Sequence, residues 1–169
     1  MIVRPLFVDD SDAWHEMMLS ATRSHPAAFL LSSDEVATMS EEQVADTLAR
    51  GHLHGIFDGS TLTGFAGLHL WRLDRLRHRA DVGPFYIAPF ARGTGAADRL
   101  LGALTTVARA EGVTWLDLWV AASNDRARAF YARNDFVEVA RREDAVRMGE
   151  VSEDDVLMTR RLEARRLDG

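Results

Sequence analysis

The sequence predicts a single domain of the α/β (α+β) class, in which strands and helices alternate over residues 1–169. Three observations predict this class. Hydrophobic residues recur with a period of two in some segments and near 3.6 in others, and turn and capping residues separate these segments. A hydrophobic fraction of 47% and a charged fraction of 27% are ordinary for a globular protein. At 169 residues the chain suits one domain with one sizeable core.

The first fifty residues are predicted to form a strand and two helices. Residues 2–6 form a short strand, and residues 9–24 form a helix capped by one of the aspartates at its start. Apolar side chains at helical spacing support that helix, namely Trp14, Met17, Met18 and Ala21. Pro26 ends the pattern, and a capping box that starts at Ser40 opens a second helix to about residue 50.

The remaining segments again alternate between strands and helices. Residues 52–58 and 61–71 are predicted to form a hairpin around the Asp58-Gly59-Ser60 turn. A strand over residues 80–88 precedes a helix with one apolar face, which Gly112 ends. A buried strand, a helix and an antiparallel strand pair are then expected over residues 114–120, 124–133, 137–141 and 155–162.

The most informative segment joins the 80–88 strand to the next helix and reads Tyr86-Ile87-Ala88-Pro89-Phe90-Ala91-Arg92-Gly93-Thr94-Gly95-Ala96-Ala97. A glycine-rich turn before a helix presents backbone N–H groups at the positive end of the helix dipole, which favours a pyrophosphate. Gly93 and Gly95 let the backbone approach phosphates, and Arg92 can add a charge-assisted contact. A P-loop needs a Gly-Lys pair, which the chain lacks, and a dinucleotide fingerprint needs a glycine where Asp98 stands.

Motifs on both sides of this turn narrow the choice of ligand. The pattern R-x-x-G-x-A is present as Arg92, Gly95 and Ala97, after the lead-in Asp81-Val82-Gly83-Pro84-Phe85-Tyr86-Ile87-Ala88-Pro89. Downstream, a strand is followed in order by Asn124, Ala127, Phe130, Tyr131 and Phe136. In this order over residues 81–136, the motifs resemble the GNAT superfamily of N-acetyltransferases, which uses acetyl-CoA.

The resemblance implies a fold and a set of ligand-binding residues. The fold is a central, mixed, mostly antiparallel twisted sheet with a splayed parallel strand pair and helices on both faces. Gly83-Pro84 predicts the bulge that splays the pair, and a simple edge irregularity is the alternative. Acetyl-CoA is the implied co-substrate, bound by the backbone of Phe85, Tyr86 and Ile87, by the turn residues Arg92, Gly93, Thr94, Gly95, Ala96 and Ala97, and by Asn124.

The implied reaction is direct attack of a primary amine on the acetyl thioester. Tyr131 stands where family members point a phenol toward the CoA sulfur, so the resemblance makes it the proton donor to the leaving thiolate. The alternative is an aromatic side chain packed in the core, like Phe130. Asp81 stands where many relatives carry a glutamate base, and the alternative is a strand-end carboxylate paired with Arg79 or Arg77.

One departure from the family pattern lies just before Phe136, where Asn134-Asp135 replaces the usual glycine. Asn and Asp tolerate the left-handed conformation that the end of a helix requires. The helix is therefore still expected to end at this point.

The acceptor amine is expected to meet residues 24–30, with Phe29 on one wall of its pocket and Trp71 a candidate for the other. Residues 9–50 hold nine acidic residues against two arginines. These acids form either a solvated face on two helices or a surface that attracts a cationic amine.

Composition excludes several other functions. A net charge of −6 argues against a nucleic-acid surface, and no apolar run approaches the length of a membrane span. The chain has no cysteine, so it has neither a disulfide framework nor a thiolate metal site. His52, His54 and His69 alternate with apolar residues, but no carboxylate shares their spacing, so no metal site is expected. The expected location is the cytoplasm, and a homodimer is suggested only by the habits of the resembled family.

Two functions from different classes follow from these residues. The leading one is an acetyl-CoA-dependent N-acetyltransferase acting on a primary amine of a small molecule or peptide. The other is a non-catalytic acyl-CoA-binding module with a sensory or regulatory role. Tyr131 and Asp81 favour the enzyme, because a pure binder needs neither a proton donor nor a base.

Overall fold

The computed structural model describes residues 1–162, and that part of the chain contains seven strands and five α-helices. The strands are β1 (Ile2–Pro5), β2 (Leu53–Asp58), β3 (Thr61–Leu70), β4 (Arg79–Ile87), β5 (Trp115–Ala121), β6 (Val137–Met148) and β7 (Val151–Arg161). The helices are α1 (Ser11–Ser24), α2 (Ser33–Ala37), α3 (Glu41–Ala49), α4 (Ala96–Ala110) and α5 (Asp125–Arg133). Short 3-10 turns at Val8–Asp10, Pro26–Ala28 and Pro89–Ala91 flank α1 and precede α4.

The strands form one sheet in the order β1-β2-β3-β4-β5-β7-β6. β4 and β5 run parallel, with Asp81 opposite Asp117 in their register. The β1–β2, β2–β3, β5–β7 and β6–β7 pairs are antiparallel. The predicted mixed, mostly antiparallel sheet with one parallel pair is confirmed, and the splaying of that pair stays a prediction.

The chain forms two compact units, of which the first comprises Met1–Leu68 and Gly83–Leu104. Its core is built where the apolar faces of α1 and α3 meet side chains of β2 and β3. The buried members include Trp14, Met18, Val44, Leu48, Leu53 and Phe65. Removing each such side chain from water favours folding by about 1.5–3 kcal/mol, so this packing holds the first unit together.

Capping residues set the starts of the helices in the first unit. The Ser40 hydroxyl accepts a hydrogen bond from the Gln43 N–H, and the Gln43 side chain accepts one from the Ser40 N–H, as predicted. The same reciprocal pair joins Ser32 and Glu35 at the start of α2, a helix that the sequence reading missed. Asp10 occupies the N-cap position of α1, as predicted, but its carboxylate accepts hydrogen bonds from Arg4 and from the Phe7 N–H instead of capping that helix.

β3 lies very close to the second half of β4 within the first unit. An ideal Cβ on Gly67 would stand 2.3 Å from the Gly83 carbonyl oxygen, and one on Gly64 would stand 2.7 Å from the Tyr86 carbonyl oxygen. Only glycine permits this approach. β4 is irregular where the sequence predicts it, since Gly83 has a φ of 148° and its peptide bond to Pro84 is cis.

Within the described residues, the second unit comprises His69–Val82 and the chain from Thr105 to Leu162. β5 lies at its centre, pairing in parallel with residues 79–81 and antiparallel with β7. Leu116, Leu118, Phe136 and Met158 form part of its buried interior, each 2% exposed or less. Buried residues alternate with more exposed ones over most of β5, so one face of this strand is well covered.

The C-terminal hairpin is longer than predicted, because β6 continues to Met148 and β7 begins at Val151. The added length is rich in charged residues that pair across the strands, as in Arg141–Asp154 at 2.8 Å and Arg142–Asp155 at 3.0 Å. Hydrophobic periodicity identifies strands that bury one face. It gives no signal for a strand that is solvated on both faces, and this explains the missed length.

The ends of α5 follow the sequence prediction. The Asn124 side chain accepts a hydrogen bond from the Ala127 N–H at 3.1 Å and so caps the start of the helix. At the other end, Asp135 has a φ of 65°, the left-handed conformation expected there. The departure from glycine at this position therefore leaves the helix end intact.

Candidate active site

The turn before α4 is built to leave space beside its backbone. Gly93 and Gly95 have φ values of 78° and 82°, which favour glycine, and no described atom lies within 4 Å of an ideal Cβ on either. The Thr94 hydroxyl donates to the Ala91 carbonyl at 2.7 Å and ties the turn together. Such a turn at a helix start fits a phosphate group, because its N–H groups and the helix dipole attract negative charge.

Arg92 anchors this turn to the end of β4. Its Nε donates a hydrogen bond to the Ile87 carbonyl at 3.0 Å, and its guanidinium carbon lies 5.7 Å from the centre of the Tyr86 ring. Its positive charge therefore stays beside the turn, and one of its N–H groups is used to hold the turn against β4. The contact of Arg92 with a phosphate stays a prediction, as do the contacts of Thr94, Ala96 and Ala97.

Phe85, Tyr86 and Ile87 form the last part of β4 before the turn. Tyr86 and Ile87 are buried and Phe85 is half-buried. The next residue, Ala88, donates its N–H to the Thr63 carbonyl at 2.9 Å, so the end of this segment is held beside β3. The binding of pantetheine to this backbone stays a prediction.

The Tyr86 hydroxyl is a feature that the sequence reading missed. Tyr86 is 6% exposed, and its hydroxyl oxygen has no hydrogen-bond partner among residues 1–162. Its ring centre lies 6.1 Å from that of His25 and 6.2 Å from those of Phe29 and Phe65. The sequence did contain a signal for this hydroxyl, namely a tyrosine within an apolar strand at a position where phenylalanine would pack equally well.

Asp81 lies in the second unit and is half-buried on β4. Burial is the largest influence on this carboxyl and raises its pKa, and the negative charge of Asp117 raises it further. A hydrogen bond from Trp71 and the charges of His69 and Arg79 act in the opposite direction. The net effect is a pKa above the usual aspartate range, so this carboxyl holds a proton more readily than an exposed one.

Neither neighbouring arginine pairs with Asp81, so the structural alternative predicted for this residue is wrong. Arg79 binds Asp117 through hydrogen bonds of 2.7 and 2.6 Å, and Arg77 pairs with Asp74. The parallel register explains why Arg79 pairs with Asp117, because the two residues lie on adjacent strands, two residues apart in register. Asp81 is therefore left without an ion pair in the described part of the chain.

Tyr131 is buried in the second unit, on α5. Its ring centre lies 5.1 Å from that of Phe130 and 5.6 Å from that of Phe136, both in edge-to-face geometry. Burial raises the pKa of its phenol above the usual tyrosine value. The phenol is therefore protonated throughout the physiological range, as a proton donor must be, and its role in the reaction stays a prediction.

The two residues predicted to line the acceptor pocket lie in different units. Phe29 is 6% exposed and belongs to the core of the first unit. Trp71, in the second unit, is half-buried, and its ring contacts that of His69 at 5.1 Å and 87°. Both assignments to the acceptor pocket stay predictions.

Some of the acids between residues 9 and 50 lie together in the first unit. Asp9, Asp12 and Glu41 line an open groove of about 510 Å³ that includes His15. The His15 ring is fixed there by a 2.7 Å hydrogen bond with the Val36 carbonyl. The groove thus concentrates negative charge near the start of α1.

Residues 1–162 contain neither a metal-binding cluster of side chains nor a helix able to cross a membrane. No group of three or more His, Cys, Asp or Glu side chains in this range is arranged to hold a metal ion. None of the helices described is long and apolar enough to cross a bilayer.

Comparison with known proteins decides the family. The model of the acetyltransferase (GNAT) family matches residues 14–136, which include the turn before α4, Asp81 and Tyr131. The chain belongs to the GNAT family of acetyltransferases. The predicted family is thereby confirmed, and the chain is an acyltransferase. No curated protein sequence matches the chain.

Several solved structures of acetyltransferases share the fold of this GNAT protein. A GNAT-family acetyltransferase from Streptococcus pneumoniae superposes with a TM-score of 0.79 at 19% identity, over 96% of this chain and 99% of that one. The structure of yncA from Salmonella typhimurium, solved with its cofactor acetyl-CoA, gives 0.82 at 20% identity, over 96% and 94%. The ribosomal-protein-S18-alanine N-acetyltransferase of Escherichia coli gives 0.72 at 20% identity, over 98% and 97%. At these identities the likeness concerns the fold.

Proposed function

We propose that this GNAT acyltransferase transfers the acetyl group of acetyl-CoA to a primary amine of a small molecule or peptide. The observation that carries the proposal is Asp81, a half-buried carboxyl with a raised pKa and without an ion pair among residues 1–162. An alkylammonium group has a pKa of about 10 and must lose a proton before it can attack. A carboxyl held in this way is suited to accept that proton.

The turn before α4 supports acetyl-CoA as the co-substrate. Space beside Gly93 and Gly95 lets the backbone N–H groups approach a pyrophosphate, with the charge of Arg92 alongside. We propose that the backbone of residues 85–87 binds the pantetheine arm as an added strand would, and that Asn124 contributes a further contact. Bound acetyl-CoA supplies an activated thioester, so the protein itself needs no nucleophile.

The reaction needs two proton transfers, and a different residue is proposed for each. Asp81 accepts a proton from the amine, and its short side chain favours an intervening water molecule. Tyr131 donates a proton to the leaving thiolate, and its raised pKa keeps it protonated for that step. A backbone N–H of residues 85–87 is suited to stabilise the oxygen on which negative charge develops.

The acceptor is proposed to be an amine rather than a nucleic acid or a membrane component. The net charge of −6 and the acidic groove of Asp9, Asp12 and Glu41 support a molecule without a polyanionic surface. Phe29 and Trp71 are proposed to contact it. The cytoplasm is the proposed location, and a homodimer stays a prediction.

Release of free thiol from acetyl-CoA, measured across polyamines, amino acids, aminoglycosides and short peptides, tests the proposal. We expect turnover with one of these groups and none without an amine. Tight binding of acetyl-CoA with no thiol release from any amine would contradict the enzyme and indicate a sensory module. A protein that does not bind acetyl-CoA would contradict the whole proposal.

A further inference from the structure

The starting observation is the buried hydroxyl of Tyr86. Its oxygen is out of contact with solvent and has no hydrogen-bond partner among residues 1–162. Leaving a buried polar group without a partner is costly, and most native proteins avoid it. Phenylalanine would provide the same ring without this cost. The hydroxyl therefore does not stabilise the fold, and binding a ligand is the function that would explain it.

The ring that carries this hydroxyl lies in an aromatic cluster. Phe29 and Phe65, 6% and 0% exposed, present ring carbons to Tyr86 and offer it no oxygen or nitrogen. His25 approaches edge-on from the segment that follows α1. The position of the ring, and so of the hydroxyl, is set by this packing and by the Arg92 guanidinium 5.7 Å from its centre.

The position in the chain connects this hydroxyl to ligand binding. Tyr86 lies within the β4 segment whose backbone is proposed to bind the co-substrate, and its ring contacts Phe29, which is proposed to contact the acceptor. A neutral phenol among rings can hydrogen-bond a neutral oxygen. A carboxylate would lose more hydration than a neutral oxygen on entering this cluster, and the nearby Arg92 guanidinium, whose Nε already donates to the Ile87 carbonyl, offsets that loss only in part.

We propose that Tyr86 is a specificity-determining residue for the acceptor, and that its hydroxyl donates a hydrogen bond to a neutral oxygen close to the reacting amine. The inference rests on the proposed N-acetyltransferase function and goes beyond it by naming the class of acceptor. The preferred amines carry an amide carbonyl near the amino group, as amino-acid amides and peptide α-amines do. Simple alkylamines and polyamines lack that oxygen and are poorer acceptors.

Matched pairs of acceptors and one substitution test the inference. The pairs are phenylalaninamide with 2-phenylethylamine, and alaninamide with ethylamine, which differ only by the carboxamide. We expect Tyr86→Phe to lower kcat/KM for the amides by about 10-fold or more through a higher KM, and to leave kcat/KM for the simple amines unchanged, so that the preference for amides falls by the same factor.

Thermal unfolding and a second tyrosine provide the controls. Because the hydroxyl makes no hydrogen bond in the described protein, Tyr86→Phe leaves Tm unchanged or raises it. Tyr131→Phe, the same chemical change at the other tyrosine, lowers kcat and keeps the preference for amides.

The outcomes separate this inference from the function on which it rests. Equal preference for amides in wild type and Tyr86→Phe, including no preference in either, would overturn the role of Tyr86 while leaving the enzyme established. A lower Tm for Tyr86→Phe with unchanged kinetic constants would assign the hydroxyl to the fold. Absence of turnover with every amine in the wild type would overturn the proposed function itself.

Discussion

The Arg79 guanidinium binds the Asp117 carboxylate through two hydrogen bonds, of 2.7 and 2.6 Å. The Thr159 hydroxyl donates to the same carboxylate at 2.7 Å, so Asp117 is held from two sides. Asp81 lies opposite Asp117 in the parallel register. The arginine that could neutralise Asp81 is thus committed to its neighbour, and the neighbour's negative charge adds to burial in raising the pKa of Asp81.

Replacing Asp81 is expected to slow acetyl transfer. In Asp81→Asn the side chain keeps its size but accepts no proton, so kcat should fall by about 10²–10⁴-fold at neutral pH. Steady-state thiol release measures this, and Asp74→Asn, which alters an exposed acid paired with Arg77, is the control and should retain activity. Full activity of Asp81→Asn at all pH values would assign the base to another residue.

Asp81 should also make the free energy of unfolding depend on pH. The folded-state pKa of this carboxyl is raised, so between the usual aspartate value and the raised value the folded state binds more protons than the unfolded state. The contribution of Asp81 to stability is therefore present at low pH and is lost as pH rises through this window. Asp81→Asn should become more stable relative to wild type over the same interval.

Thermal unfolding of both proteins between pH 3 and pH 8 checks the sign. The difference in Tm should grow with pH at the acidic end and then level off. A difference that shrinks as pH rises would mean that the carboxylate is stabilised in the folded protein. The raised pKa would then be incorrect, and with it the argument for a proton-accepting Asp81.

Tyr131→Phe is expected to lower kcat by about 10–100-fold, because the leaving thiolate loses its proton donor. The KM for the amine should change little, since only one oxygen is removed from a ring that packs against Phe130 and Phe136. The raised pKa of the phenol places its ionisation above the usual tyrosine value. Any fall in wild-type activity near pH 10 must therefore have another origin and should persist in the variant.

The glycine turn gives a prediction about co-substrate binding. Gly93→Ala forces a side chain into a backbone conformation with a φ of 78°, which costs about 1–2 kcal/mol, and narrows the space beside the turn. We expect the Kd for acetyl-CoA, measured by calorimetry, to rise by about 10-fold or more.

Gly59→Ala is the matched control for this change. Gly59 has a φ of 59° in the β2–β3 turn and equally open surroundings, so its replacement should cost similar stability without affecting the Kd. Similar effects of both substitutions on the Kd would show that lost stability, and not the turn before α4, explains the weaker binding.

Features that depend on a few consecutive residues were predictable. The Ser40 capping box, the left-handed Asp135 and the glycine turn each need groups no more than about four residues apart, so the sequence carries the whole interaction. The family was predictable for a related reason, because its motifs are short and fall in a fixed order over residues 81–136. The missed helix α2 carried the same kind of signal at Ser32 and Glu35.

By itself, then, the sequence determined the family, the order of most elements and the turn suited to a phosphate. Only the tertiary structure decided that Arg79 pairs with Asp117 and leaves Asp81 unpaired, since the parallel register brings together residues 38 positions apart. Only the tertiary structure placed the Tyr86 ring among rings from distant parts of the chain and buried its hydroxyl without a hydrogen-bond partner in the described residues. The pKa of a carboxyl and the hydrogen bonding of a hydroxyl depend on how deeply each group is buried and on the charges and polar atoms around it. In a folded chain these surroundings come from residues that are far apart in sequence.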